Sequence, residues 1–322
     1  MESPPRVSVA VPVFNEEETV LELLQRVGQV LDSLPGGPHE ILFVNDGSWD
    51  RTPQLLEESA ARDPRVVIVS LSRNFGHQVA LSAALDHVTG DVAVLMDGDL
   101  QDPPEAIPRF LDEYAQGYDV VYAQRTRRKE TLWLRSSYFV FYRLLSWMAN
   151  LNLPLDSGDF ALISRRVIDL IRQSPEYHRY LRGLRAWVGF KQKGIAVERS
   201  ERYAGKSKYS VAKLCRLALD GIFAFTVFPL RAAALLGLAS VGLATIYAIY
   251  AVFAALFLSR SPAGFTALIV TVTFLSGLNL IFLGIIGEYV GRVYEQVKAR
   301  PLYVVDHIIR RSSTTDESGE TR

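Results

Sequence analysis

Two stretches near the carboxyl end, Ala232–Leu258 and Phe265–Ile286, contain no charged residue, and no other feature constrains the chain as much. At about 1.5 Å of rise per residue, either one as a helix outreaches the ~30 Å hydrocarbon core of a bilayer. The competing account is a buried helix of a soluble core. Two such runs joined only by Ser259–Gly264 favour a transmembrane hairpin instead. Lys213, Arg216 and Arg231 precede the first run and Arg292, Lys298 and Arg300 follow the second, whereas Arg260 alone lies between them. An excess of Lys and Arg marks the cytoplasmic side, so both termini are expected inside and the protein in the cell (inner) membrane as a multi-pass chain. Met1–Phe14 has neither a basic leading region nor a small-residue cleavage signature, so no signal peptide is expected.

Ahead of the hairpin the chain is different in kind. Between Arg6 and Ala123, short Val/Ile/Leu-rich runs (Val7–Val13, Glu40–Asn45, Val66–Ser70, Val92–Met96, Val120–Ala123) alternate with amphipathic stretches at Glu17–Leu34, Thr52–Ala61, Gly76–Val88 and Pro104–Tyr114. Such alternation predicts an α/β domain, a parallel sheet covered by helices on both faces. Pro103-Pro104 opens a helix, because the missing proline N–H costs nothing in the first turn, and this leaves Asp97–Asp102 on the preceding loop. Two aromatic and basic stretches, Leu132–Leu151 and Tyr209–Phe228, have the composition of amphipathic helices lying at a lipid–water boundary. The expected organisation is a cytoplasmic α/β domain over 1–208, a juxtamembrane helix over 209–229, a two-span hairpin over 230–287, and a carboxyl segment over 288–322. That last segment ends in a polar tail, Ser312–Arg322.

Composition removes several classes of function. Lys plus Arg and Asp plus Glu are equal at 35 each, which removes the global positive field of a general nucleic-acid binder. Cys215 is the only cysteine, so an intrachain disulfide and a Cys-rich zinc site are impossible. No Gly-x-Gly-x-x-Gly follows the first strand and no Gly-x-x-x-x-Gly-Lys-Ser/Thr occurs, which disfavours a dinucleotide-binding domain and a P-loop nucleotidase. Polar, largely acidic loops follow the strands instead: Pro12-Val13-Phe14-Asn15-Glu16-Glu17, Asn45-Asp46-Gly47-Ser48, and Asp97-Gly98-Asp99-Leu100-Gln101-Asp102. In open α/β sheets ligands bind at that edge. Two carboxylates one residue apart, Asp97 and Asp99, can hold Mg²⁺ or Mn²⁺ together with substrate phosphates. Taken singly, each loop also reads as an ordinary Asx turn or helix cap.

Asn45-Asp46-Gly47-Ser48, Arg73-Asn74-Phe75-Gly76, Asp97–Pro104, Asp156-Ser157-Gly158-Asp159-Phe160 and Gly205-Lys206-Ser207-Lys208-Tyr209 stand in this order along the chain. In this the chain resembles the family-two glycosyltransferases of the A-type (Rossmann-like) fold, specifically the polyisoprenyl-phosphate glycosyltransferases. These include bactoprenol glucosyltransferases and dolichol-phosphate mannose synthases, and the two-span tail is most similar to the bactoprenol branch. The resemblance implies that Pro12, Phe14, Glu16 and Asp46 surround the nucleoside and that Asp97 reaches ribose or phosphate. It further implies that Asp99 and Gln101 bind the metal, with Asp97 beside them, and that Asp159 is the catalytic candidate. It inclines the donor to UDP-glucose and the assembly to a homo-oligomer such as a tetramer.

Arg125, Arg127, Arg128 and Arg135 flank the interfacial stretch, where guanidinium forks can take a lipid phosphate. Resemblance favours Arg125 and Arg135, with Ser136 or Ser137 adding a hydroxyl, while Arg127 and Arg128 read equally as a patch on anionic lipid. Lys206 and Lys208 lie in a Gly/Ser-containing loop and are expected to fold over the diphosphate, the competing reading being a merely exposed basic loop. His77 reads as structural or phosphate-proximal rather than as a general base. A phosphate monoester is largely dianionic near neutrality, with a second pKa of about 6, so direct inverting attack on the anomeric carbon needs positioning more than a strong base. For Asp159 the base and positioning roles both stay open. Competing readings are another donor (GDP-mannose or a UDP-aminosugar), a processive synthase, disfavoured because Leu184-Arg185-Ala186-Trp187 only loosely follows Gln-x-x-Arg-Trp, and an inactive membrane scaffold.

Overall fold

A computed structural model describes residues 3–125, 157–177, 179–198, 228–257 and 264–311. They fall into two compact units, an α/β unit that includes the chain from Pro301 onward and a helical unit drawn from Val211–Arg300.

The α/β unit is built on β1 (Val7–Val13), β2 (Glu40–Asn45), β3 (Val66–Leu71), β4 (Val92–Leu95), β5 (Val120–Arg125), β6 (Ser157–Ser164), β7 (Gln192–Val197) and β8 (Val305–Ile309). Its helices are α1 (Val20–Ser33), α2 (Thr52–Arg62), α3 (His77–His87), α4 (Ile107–Ala115, entered through a 3₁₀ turn at Pro104–Ala106), α5 (Arg165–Gln173) and α6 (Leu181–Val188). The strand order is β7-β5-β6-β4-β1-β2-β3-β8. β1 to β4 are mutually parallel where they pair, as the periodicity predicts.

The sheet as a whole is mixed, not parallel throughout. β6 runs antiparallel between β4 and β5, and β8 runs antiparallel on the outer edge of β3. Sequence reading placed no strand at β6, β7 or β8. Their partners lie far off in the chain, so no local βαβ unit announces them.

Alternating side chains on each strand feed two cores, one per face. Val7, Val9, Val11 and Val13 join Ile41, Phe43, Leu23, Val27 and Phe110 under α1, α2 and α4. Ala10, Leu42, Val44, Val69 and Leu95 join Leu81, Leu85, Ile168 and Leu184 under α3, α5 and α6. With both faces covered, β1, β2 and β3 are buried at every residue, leaving the strand ends as the open surface.

In the helical unit, α7 (Phe228–Phe257) has 30 residues and α8 (Phe265–Val297) has 33. Both are long and apolar enough to cross a membrane. Large side chains along them, such as Leu238, Leu243 and Leu280, are each 70% exposed, which a core helix of a soluble protein would not tolerate. α8 continues past the charge-free run and carries Glu288 and Arg292, which form an i,i+4 ion pair at 2.9 Å. The expected interfacial stretches Leu132–Leu151 and Tyr209–Phe228 and the tail from Ser312 lie outside the described residues, apart from Phe228 itself, which opens α7.

Candidate active site

The loops that leave β1, β2 and β4 meet at one edge of the sheet and are tied together by their own polar groups. Asn15, held in the left-handed region at φ 55°, accepts the Trp49 N–H on Oδ1 at 3.0 Å, and its own N–H donates to Ser48 Oγ at 3.0 Å. Glu16 N–H donates to Thr52 Oγ1 at 2.9 Å. Thr19 Oγ1 reaches both Glu16 Oε2 and the Gly98 carbonyl at 3.0 Å, joining the first loop to the acidic one. Phe14 packs edge-on against Trp49, with ring centroids 5.3 Å apart. Pro12 sits within β1, paired with Val44.

Asp46 organises the loop after β3. It is buried, its Oδ1 accepts the Phe75 N–H at 2.7 Å, and its Oδ2 accepts the Gly76 N–H at 2.9 Å. Burial raises its carboxyl above the ordinary value, against the opposing pull of those two N–H groups, His77 and Arg73. Gly47 is required beside it. Its φ is +70°, and a Cβ there would lie 2.5 Å from the Arg73 carbonyl carbon. Gly76, at φ 99°, then turns the chain into α3 and delivers His77 as the first residue of that helix.

Asp97 and Asp99 lie just beyond β4. Leu100 takes φ 58°, and Asp99 Oδ1 accepts the Gln101 N–H at 3.2 Å, the form of an Asx turn. β4 and β6 pair Leu95 with Ala161. Because that pairing is antiparallel, carrying its register two residues further puts Asp97 level with Asp159. His77 Nε2 stands between them, 3.5 Å from Asp97 Oδ1 and 3.5 Å from Asp159 Oδ2. One ligand atom from each of His77, Asp97 and Asp159 lies within 4.8 Å of the others, close enough to share a metal ion.

Behind Asp159 stands a group that sequence reading missed. Arg182, on the first turn of α6, forks onto it, Nε to Oδ1 and Nη2 to Oδ2, both at 2.7 Å. Burial favours the neutral acid, but Arg182 and then His77 overcome it and hold the Asp159 carboxyl well below its usual value. Desolvation works against a charged His77, yet Asp159 and Asp97 prevail and raise its pKa above the ordinary imidazole value. Nothing in the local sequence around Arg182 marks it, since only the β6 pairing brings Asp159 within its reach.

Arg125 ends β5 opposite Val197. Arg127, Arg128, Arg135, Ser136, Ser137, Lys206 and Lys208, the other acceptor and diphosphate residues expected from the sequence, lie outside the described residues.

Residues 8–172 match the model described as "Glycosyl transferase family 2". The chain belongs to glycosyl transferase family 2. Relatives match far beyond that core. The glycosyltransferase YkcC of Bacillus subtilis (strain 168) is 44% identical, with 92% of each chain covered. The prophage bactoprenol glucosyl transferase homolog of Escherichia coli (strain K12) is 38% identical over 94% of this chain and 99% of that one. The bactoprenol glucosyl transferase of Shigella phage SfX is 38% identical over 93% and 98%. The mixed sheet with helices on both faces is accordingly the A-type glycosyltransferase fold, and the edge that gathers Asp46, Asp97, Asp99 and Asp159 is the carboxyl edge of its parallel strands.

Proposed function

We propose that this family-two transferase moves a sugar from a nucleotide-sugar donor to a polyisoprenyl phosphate at the cytoplasmic face of a membrane, with inversion at the anomeric carbon. One observation carries most of this reading. Relatives named for bactoprenol glucosyl transfer align with 93–94% of the chain, so the likeness spans the apolar helices as well as the catalytic sheet. Glucose and a bactoprenol acceptor are the pair those names favour, and UDP-glucose as donor with undecaprenyl phosphate as acceptor is the form of it proposed here. Within the organisation proposed from the sequence, α7 and α8 form a transmembrane hairpin.

The donor set suits a hard divalent cation. Asp97, Asp99 and Gln101 offer two carboxylates and a carboxamide oxygen from one tight turn, and such ligands match Mg²⁺ or Mn²⁺. Asp97 and Asp99 would hold the ion, with Gln101 completing the set, and the bound ion would offset charge on the departing nucleoside diphosphate. His77 also reaches Asp97, but both Asp159 oxygens are already engaged by Arg182. Asp159 is therefore better suited to orienting substrate than to coordinating metal. Pro12, Phe14, Glu16 and Asp46 are the proposed nucleoside-side residues of that edge. Arg125 and Arg135, with Ser136, are the proposed acceptor-phosphate ligands, and Lys206 and Lys208 the proposed cover over the diphosphate.

Attack by a phosphate oxygen needs little help from a base, because the acceptor's second pKa is about 6. Holding two anions in line accounts for most of the work. Purified protein in detergent, given undecaprenyl phosphate and a panel of UDP- and GDP-sugars with Mg²⁺ or Mn²⁺, is expected to form one glycolipid and release the matching nucleoside diphosphate. Donor hydrolysis without glycolipid would remove the acceptor from the reading. No turnover of any donor would favour the scaffold.

A further inference from the structure

We propose that Arg182 is a positioning residue for the transfer reaction, acting through Asp159 and not on the donor's diphosphate. The inference rests on the function proposed above and adds a residue that none of the chain's recognisable motifs contains.

The case begins with how α6 is docked. Leu181 N–H donates to Gln78 Oε1 at 3.1 Å, fastening the start of α6 to the residue next to His77. One turn further on, Arg185 is buried and its Nη2 donates to the Gly158 carbonyl at 3.2 Å. Burial is strong enough to lower Arg185 to about 10, with the nearby Asp159 acting against that fall. Between these two anchors, Arg182 meets Asp159 with both ends of its fork. The helix is thus pinned to α3, to the backbone just before Asp159, and to the Asp159 side chain itself.

A planar guanidinium that engages both carboxylate oxygens fixes the plane of the carboxylate as well as its position. Here that plane aims Asp159 Oδ2 at His77 Nε2, 3.5 Å away, on the side where Asp97 also lies. The Asp159 side chain is 7% exposed and that of Arg182 is 26% exposed, so the pair forms a wall of the site with the carboxylate innermost. A lysine could supply the charge at this position but not the fork, and would leave the carboxylate free to rotate.

The test is a double-mutant cycle on the full-length protein in detergent, reading turnover with undecaprenyl phosphate and the donor that wild type accepts. Calorimetric titrations of UDP and GDP and thermal unfolding accompany it. Wild-type turnover checks the proposed function separately: if wild type turns over no donor, that reading fails whatever the variants do. Given an active wild type, Arg182→Ala and Asp159→Asn are each expected to lower kcat by roughly 10- to 100-fold, the scale for losing a residue that orients a reacting group. The double variant should be no slower than the slower single one, because both changes remove one interaction. Nucleoside-diphosphate affinity should stay near wild type. Arg182→Lys should recover only part of the rate.

Losses that multiply in the double variant would overturn the proposal. So would a tenfold or greater loss of nucleoside-diphosphate affinity in Arg182→Ala with kcat preserved at saturating donor, which would make Arg182 a direct ligand of the diphosphate. If Arg182→Ala does not fold, Arg182→Lys decides, and wild-type kcat in that variant would refute the need for the fork.

Discussion

The two halves of the sheet reach the same edge by different routes. In the β1–β4 half each strand hands its loop directly to that edge, and the loops interlock through contacts such as Asn15 to Trp49, Thr19 to Gly98 and Asp46 to Phe75 and Gly76. In the β5–β7 half, β6 enters against the direction of its neighbours, so the start of that strand arrives at the edge where the parallel strands end. Asp159 reaches the site by that reversal, and Arg182 follows it on α6. The first half supplies polar loops whose geometry is largely local. The second supplies a carboxylate and its guanidinium whose geometry exists only once distant strands have paired.

If this division is sound, the largest effect belongs to the acidic loop after β4. Asp99→Ala is expected to lower kcat on the order of 10²–10³-fold, the scale for losing one preorganised charge-stabilising group, while thermal unfolding stays close to wild type because no apolar core is emptied. The check is turnover against metal concentration beside a melting curve. Wild-type metal dependence in this variant would take the ion away from the loop.

A change confined to backbone comes next. Gly47→Ala forces a left-handed alanine and drives its Cβ toward the Arg73 and Asn74 backbone, 2.5 and 2.6 Å away. A cost of about 2–4 kcal/mol is expected, measured as a lowered unfolding midpoint. Because the strain falls on the Arg73–Gly76 loop, His77 should shift too, so activity should fall by more than the loss of folded protein explains. A fall matched to the folded fraction would show that the two loops are coupled less tightly than their contacts suggest.

These two positions also mark how far sequence carries. The β1–β4 strands, their helices and the polar loops were legible because a short apolar run, an amphipathic stretch and a turn residue are local properties, and Gly47 and Asp99 both stand in such turns. The two apolar helices were legible from length and lack of charge alone. Asp159 was found only by resemblance to a family motif, since nothing near it in sequence tells that Asp97 lies opposite. Arg182 was not found at all. No local pattern in Leu181–Val188 sets it apart, and its partner is 23 positions away across a strand and a helix. β8 escaped for the same reason: it pairs with β3 only after the chain has passed through both apolar helices.

A smaller effect tests whether Asp46 serves the fold before it serves any ligand. Asp46→Asn keeps one acceptor but turns an NH₂ toward a backbone N–H, either of Phe75 or of Gly76. Leaving a buried donor without an acceptor costs about 1–3 kcal/mol, to be read from chemical or thermal unfolding in the absence of donor. The opposing gain is that a neutral side chain escapes the desolvation that raises the Asp46 carboxyl. A variant as stable as wild type would mean that this relief cancels the lost bond, and would leave Asp46 free for a purely ligand-binding role.

The smallest expected change concerns Asp159 and the pH dependence of the rate. Arg182 and His77 hold its carboxyl well below the ordinary value despite burial. A group whose folded pKa is depressed contributes stability that is present above its unfolded pKa of about 4 and is lost as pH falls through the folded value. Across pH 5–9 Asp159 therefore stays ionised, and neither folding nor rate should titrate with it there. A carboxylate so acidic is also a poor proton acceptor near neutrality. The acidic limb of kcat/KM should instead follow the acceptor phosphate, whose second pKa is about 6. Asp159→Asn is then expected to lower the whole profile through lost orientation and charge while leaving the limb within roughly 0.3 unit of its wild-type position, a shift worth only about 0.4 kcal/mol. The measurement is a pair of pH–rate profiles with saturating metal and donor and a short-chain soluble acceptor phosphate. If the limb disappears in the variant, Asp159 is the base, and the reversed strand contributes proton transfer to the reaction as well as geometry.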